Sequence, residues 1–166
     1  MKMLVSYRQA GLALFLIPLA LLGFGYYLEF VQGLEPCPLC VTQRVCFYLV
    51  AAFAFAGLFK YRSVLYQRIC NALAAFSALT GLLVAGRQLW LQSLPEDRVP
   101  ACGPDLAYML NNFPLTEALA IMFKGDGNCA EIDWTFLGLS IAGWSFVAFA
   151  GLLVLAAFQF WRGAAK

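Results

Sequence analysis

Long apolar runs alternate with short polar joints along this chain. Arg8 and Glu29 bracket a first charge-free run, about residues 11–28. Arg44 and Lys60 bracket a second, whose helix is expected over about 41–59. Arg68 and Arg87 bracket a third, 69–86, and Asp133 and Arg162 a fourth, whose membrane part is expected over about 136–160. A membrane helix needs roughly 20 mainly apolar residues, about 17–25 in range. The pattern therefore predicts an all-α membrane protein, a four-transmembrane-helix bundle, built as a single integral membrane domain over 1–166. Four buried core helices of a soluble fold are the alternative, but they leave too little polar chain to solvate them.

Composition sharpens this reading. Apolar residues make up 63% of the chain and charged residues 12%, against about 45–50% and about 25% in soluble domains. Disorder is excluded on the same grounds. A net charge of +2 is too small to argue for nucleic acid. There is no histidine, which removes imidazole bases and histidine-ligated metals.

Charge sets the expected orientation. The N-terminus, the joint between the second and third runs, and the C-terminus carry Lys2, Arg8, Lys60, Arg62, Arg68, Arg162 and Lys166, and no acidic residue. The lysine and arginine bias predicts that both termini and the middle joint are cytoplasmic. Two loops, about 29–40 and 87–135, then face the far side, which in a bacterium is the oxidising periplasm. The first run resembles a signal peptide but is long and is followed by Tyr-Tyr-Leu-Glu, so it is expected to be retained.

Cys37, Cys40, Cys102 and Cys129 lie in or beside those outer loops, whereas Cys46 and Cys70 fall within or at the end of spans and read as inert apolar residues. Cys37-Pro38-Leu39-Cys40 is a C-x-x-C motif, a spacing shared by redox sites and metal knuckles. A zinc site from these four cysteines competes with an oxidising compartment and lacks histidine. A passive disulfide across so short a loop adds little chain-entropy stabilisation, so a bridge that opens and closes suits the motif better. Arg44 follows Cys40 by four residues and shares its helix face. There it is expected close to the Cys40 sulfur, where a fixed positive charge favours a thiolate; a snorkelling interfacial arginine is the alternative. Proline and glycine around Cys102 and Cys129 predict mobile, accessible chain. Leu106–Phe123 reads either as an amphipathic stretch on the membrane surface or as a loop packed on the bundle.

Together these residues resemble the DsbB family of bacterial disulfide bond formation proteins. The resemblance rests on Glu-Pro-Cys-Pro-Leu-Cys with Arg44, on Pro-Ala-Cys-Gly-Pro around Cys102, and on Gly-Asn-Cys-Ala-Glu around Cys129 followed by Trp-Thr-Phe-Leu-Gly-Leu-Ser. It implies a disulfide oxidoreductase of the bacterial inner membrane that reoxidises a DsbA-like periplasmic oxidant and passes the electrons to a quinone, ubiquinone or menaquinone. By motif, Cys102–Cys129 is the pair that meets DsbA, Cys129 exchanges with Cys37, and Cys40 faces the quinone with Arg44 beside it. Gln92 matches a position associated with the quinone pocket, and Gln88 falls where some relatives carry histidine. The implied partners are the DsbA-like protein, the quinone and the lipid bilayer, with no nucleic acid and no metal. A non-enzymatic four-helix scaffold with two structural bridges, a transporter subunit, and a thiol relay with a different partner are the competing readings. Span interiors nearly free of ionisable residues argue against the transporter.

Overall fold

A computed structural model describes residues 7–59, 63–100, 114, 116, 125, 127–132 and 134–162. Four long helices dominate it: α1 Tyr7–Gln32, α2 Pro38–Phe59, α3 Val64–Gln92 and α4 Ile141–Arg162. All four are long and apolar enough to cross a membrane. Their lipid-side faces carry exposed Leu16, Phe59, Leu65, Phe76, Leu83 and Val154, which a bilayer, not water, can cover.

The interior is built on small residues. Ala74, Ala78, Gly81 and Ala85 form one stripe of α3, and small side chains let membrane helices approach closely. Into the gap above Gly81 goes the Phe149 ring from α4, fully buried and stacked on Phe47 of α2 with centroids 4.0 Å apart. A Cβ on Gly81 would lie 2.4 Å from that ring. Gly81→Ala is therefore expected to destabilise the fold by about 1–3 kcal/mol, the usual cost of overpacking a core. Thermal unfolding of the detergent-solubilised protein measures it, and an unchanged transition would contradict this packing. α3 is the central helix, packing along both α2 and α4, whereas α1 leans mainly on α2 and meets α4 over a shorter seam.

The helices run past the expected spans: α1 extends from Tyr7 to Gln32, α2 begins at Pro38 and α3 at Val64. α3 runs on to Gln92, so Arg87–Gln92 is helical and not the start of a loop. The residues 136–140, expected as membrane helix, instead belong to a short hairpin of strands β1 Thr135–Phe136 and β2 Leu139–Ser140, in register Thr135 with Ser140 and Phe136 with Leu139. Leu137 and Gly138 turn it with φ of 52° and 81°, the doubly positive geometry of a tight two-residue hairpin. Apolar character could not separate strand from helix here. α4 begins one residue after the hairpin because Ser140 caps it: its Oγ accepts the Gly143 amide at 3.3 Å. Most of Leu106–Phe123 lies outside the described residues.

Candidate functional site

The start of α2 organises the site. Pro38 occupies the first helical position, where its missing N–H is no loss. Cys37 sits just before it, and its Sγ accepts the Cys40 amide at 3.3 Å, as a capping side chain does. This brings the two sulfurs of the C-x-x-C to 2.9 Å, with Cys37 donating to Cys40.

A third sulfur joins from far along the chain. Cys129 hydrogen-bonds to Cys37. Those hydrogen bonds, first with Cys129 and then with Cys40, together with burial, push the Cys37 thiol well above its ordinary range. The sequence reading put Cys129 on mobile, accessible chain, and the structure corrects this: Cys129 is fully buried. It ends a one-turn 3-10 helix, Gly127–Cys129, seated among Leu39, Val84 and Leu91. Gly125 makes that seat possible. Its φ is +74°, and a Cβ there would lie 2.8 Å from both Leu39 and Leu91. Cys102 lies outside the described residues. Cys46 and Cys70 are buried away from this group, Cys46 within the main apolar core.

From α3, buried Gln88 reaches the sulfurs. Its Nε2 donates to Cys40 Sγ at 3.3 Å and to Cys37 Sγ at 3.5 Å. One turn on, Gln92 Oε1 accepts the Ser140 hydroxyl at 2.8 Å, tying the hairpin to α3. Buried Gln43, three residues after Cys40, donates from Nε2 to Gln88 Oε1 at 2.7 Å.

Arg44 shares the site but directs its polar contacts to α1. It pairs with Glu29, donates to the Gly25 carbonyl at 3.4 Å and lies over the Tyr26 ring, 4.8 Å from its centroid. The Tyr48 hydroxyl donates to that of Tyr26 at 3.1 Å. The expected closeness to Cys40 becomes a shared cavity, with the guanidinium held on its α1 side. Sequence reasoning missed Gln43 and Glu29, and took Gly125 for a mark of mobile chain. The i, i+3 spacing from Cys40 was the available signal for Gln43, because polar groups inside a span are costly and need a reason.

These side chains open onto one cavity of about 550 Å³, within the range of small-molecule sites. Cys37, Cys40, Arg44, Gln88 and Gln92 all line it. Its walls are otherwise mainly apolar, with Leu22, Phe24, Leu28 and Trp144 among them. Such a space suits a flat, lipid-soluble molecule with a few hydrogen-bond acceptors. Among the described residues no cluster of metal-ligating groups is present.

The chain matches the family model described as disulfide bond formation protein DsbB over residues 7–159. It is 47% identical over 156 residues to disulfide bond formation protein B of Saccharophagus degradans, covering 94% of each chain. It is 49% identical over 150 residues to the protein of the same name from Azoarcus sp. strain BH72, covering 90% of this chain and 89% of the relative. Disulfide bond formation protein B 1 of Pseudomonas aeruginosa PAO1 is 42% identical over 161 residues, covering 97% and 99%.

Proposed function

The chain belongs to the DsbB family of disulfide bond formation proteins, and on that premise we propose that it reoxidises a DsbA-like periplasmic dithiol oxidant and passes the electrons through two cysteine pairs to a membrane quinone. The observation that carries the reading is the run of sulfurs Cys129, Cys37 and Cys40, each in contact with the next, at the edge of an apolar cavity. The lysine and arginine bias supports a periplasmic side for these cysteines and cytoplasmic termini.

The chemistry is thiol–disulfide exchange in series. A partner thiolate attacks the Cys102–Cys129 bridge at Cys102, forming a mixed disulfide and releasing Cys129. Cys129 attacks Cys37, the Cys37–Cys40 bond breaks, and Cys40 leaves as the thiolate. The partner's second thiol resolves its mixed disulfide and leaves oxidised, freeing Cys102. Cys102 then attacks Cys129, restoring that bridge and freeing Cys37. Cys37 and Cys40 are now a dithiol, and re-forming their bond releases two electrons and two protons. A membrane quinone, which Gln88, Arg44 and Gln92 would hold in the cavity, would accept both and be reduced to the quinol. The need for such an acceptor is thermodynamic: DsbA-type couples are already among the strongest protein oxidants, so an ordinary disulfide cannot reoxidise them downhill.

The residues fit that acceptor. Gln88 offers an N–H beside the sulfurs, Arg44 offers a charge that can hold a carbonyl or anionic oxygen, and Gln92 lines the same wall. Purified protein, a reduced DsbA-type partner and a soluble quinone analogue test the reading together. Quinone absorbance is expected to fall in step with partner oxidation. Partner oxidation without quinone loss contradicts it.

Arg44→Met separates two roles. It is expected to lower quinone reduction about tenfold, the scale of one charge-assisted hydrogen bond, while thiol exchange at Cys102–Cys129 changes far less. Equal loss in the two half-reactions, measured by stopped-flow with and without quinone, would remove Arg44 from the acceptor site.

A further inference from the structure

We infer that Gln43 is a positioning residue that acts through Gln88, fixing which end of the Gln88 carboxamide faces the sulfur pair. The inference deepens the proposed function, since it assigns a residue to the same site.

A carboxamide has a donor end and an acceptor end of nearly equal size, and it can bind a neighbour with either. A thiolate sulfur can only accept. Gln88 therefore assists the ionised Cys40 only when its Nε2 points at the sulfur. In the structure the nitrogen is the nearer end, 3.3 Å from Cys40 Sγ, with Oε1 at 3.7 Å. Nothing in Gln88 alone selects that sense. Gln43, presenting its own donor end, does: its Nε2 donates to Gln88 Oε1 at 2.7 Å, which engages the oxygen and leaves the Nε2 end toward the sulfurs. Gln43 is 3% exposed and Gln88 4%, so water is a poor substitute for either partner, and an unmade bond here is costly. The helices supply the registration. Gln43 stands one turn from Cys40 on α2, and both face Gln88 across the α2–α3 seam.

Because both residues are uncharged amides, the device works without a titrating group of its own. Its action is to stabilise the ionised sulfur relative to the thiol, so its effect is felt where the thiol is only partly ionised.

The test reads Cys40 directly and needs neither quinone nor partner. The full-length protein in detergent is reduced, freed of quinone, and treated with iodoacetamide across a pH series. Peptide mass spectrometry then follows alkylation of Cys40. Gln43→Met, close in volume but unable to donate, is expected to slow Cys40 alkylation about tenfold at neutral pH, the scale of one hydrogen bond to a charged group. The difference should vanish at high pH, where Cys40 is ionised in every variant. Gln88→Met should behave alike, and the double variant should be no slower than either single one. Gln43→Leu, a second apolar side chain of similar size that cannot donate, should slow the reaction too. This variant keeps the question answerable if the methionine variant folds poorly. An unchanged rate in both Gln43 variants, or losses that multiply in the double variant, would overturn the inference. Because no acceptor is present, either result stands apart from whether quinone is the physiological oxidant.

Discussion

Cys40→Ser is expected to reduce quinone-dependent oxidation of a dithiol partner to the background rate without enzyme. The hydroxyl cannot form the bridge with Cys37, so the pair beside the cavity can no longer release two electrons. It also cannot be the leaving group when Cys129 attacks Cys37. The first exchange, at Cys102, should survive. A mixed disulfide with the partner is therefore expected to accumulate, visible on non-reducing gels. Retained turnover in Cys40→Ser would mean that the electrons leave by another route. The protein fold should be little affected, since serine is smaller than cysteine and Cys40 is only part-buried.

Gly125→Val is expected to damage a different step nearly as severely. The backbone there has φ +74°, a conformation that costs a residue with a side chain about 1–2 kcal/mol. The added Cβ would also meet Leu39 and Leu91 at 2.8 Å. Valine must push the segment outward, and Cys129 moves with it away from Cys37. Transfer between the two pairs is expected to slow by at least about tenfold, the equivalent of about 1.4 kcal/mol. Oxidation of a reduced Cys37–Cys40 pair by a soluble quinone analogue should stay near its normal rate. A single-turnover comparison of the two half-reactions checks this. Equal slowing of both would place the damage in the cavity, not in the approach of Cys129.

The contrast between these two variants reflects what was legible beforehand. The helices were legible because a span is a long, one-signed feature: twenty apolar residues cannot be placed in water or in a turn without cost. The C-x-x-C was legible because its chemistry lives in four consecutive residues. Arg44 was half legible. Its helix face follows from spacing, but its partner Glu29 lies on α1, fifteen residues earlier, and only packing brings the two together. Cys129 was read as exposed because glycines flank it. The structure uses one of those glycines for the opposite purpose, turning the chain inward so that the sulfur is buried. The residues 136–140 were read as helix because Phe, Leu, Gly and Leu carry no period long enough to decide. Ser140 ends the ambiguity by capping α4. Gln43 was overlooked because a single glutamine near the end of a span has no motif. Its meaning comes from Gln88, 45 residues away.

The account stands on Cys129 reaching Cys37, and that can be trapped. In protein carrying Cys40→Ser and Cys102→Ser, mild oxidation followed by non-reducing peptide mapping is expected to recover a bridge between Cys37 and Cys129 in high yield. Recovery of both as free thiols, under conditions that oxidise the unmodified protein, would contradict the account.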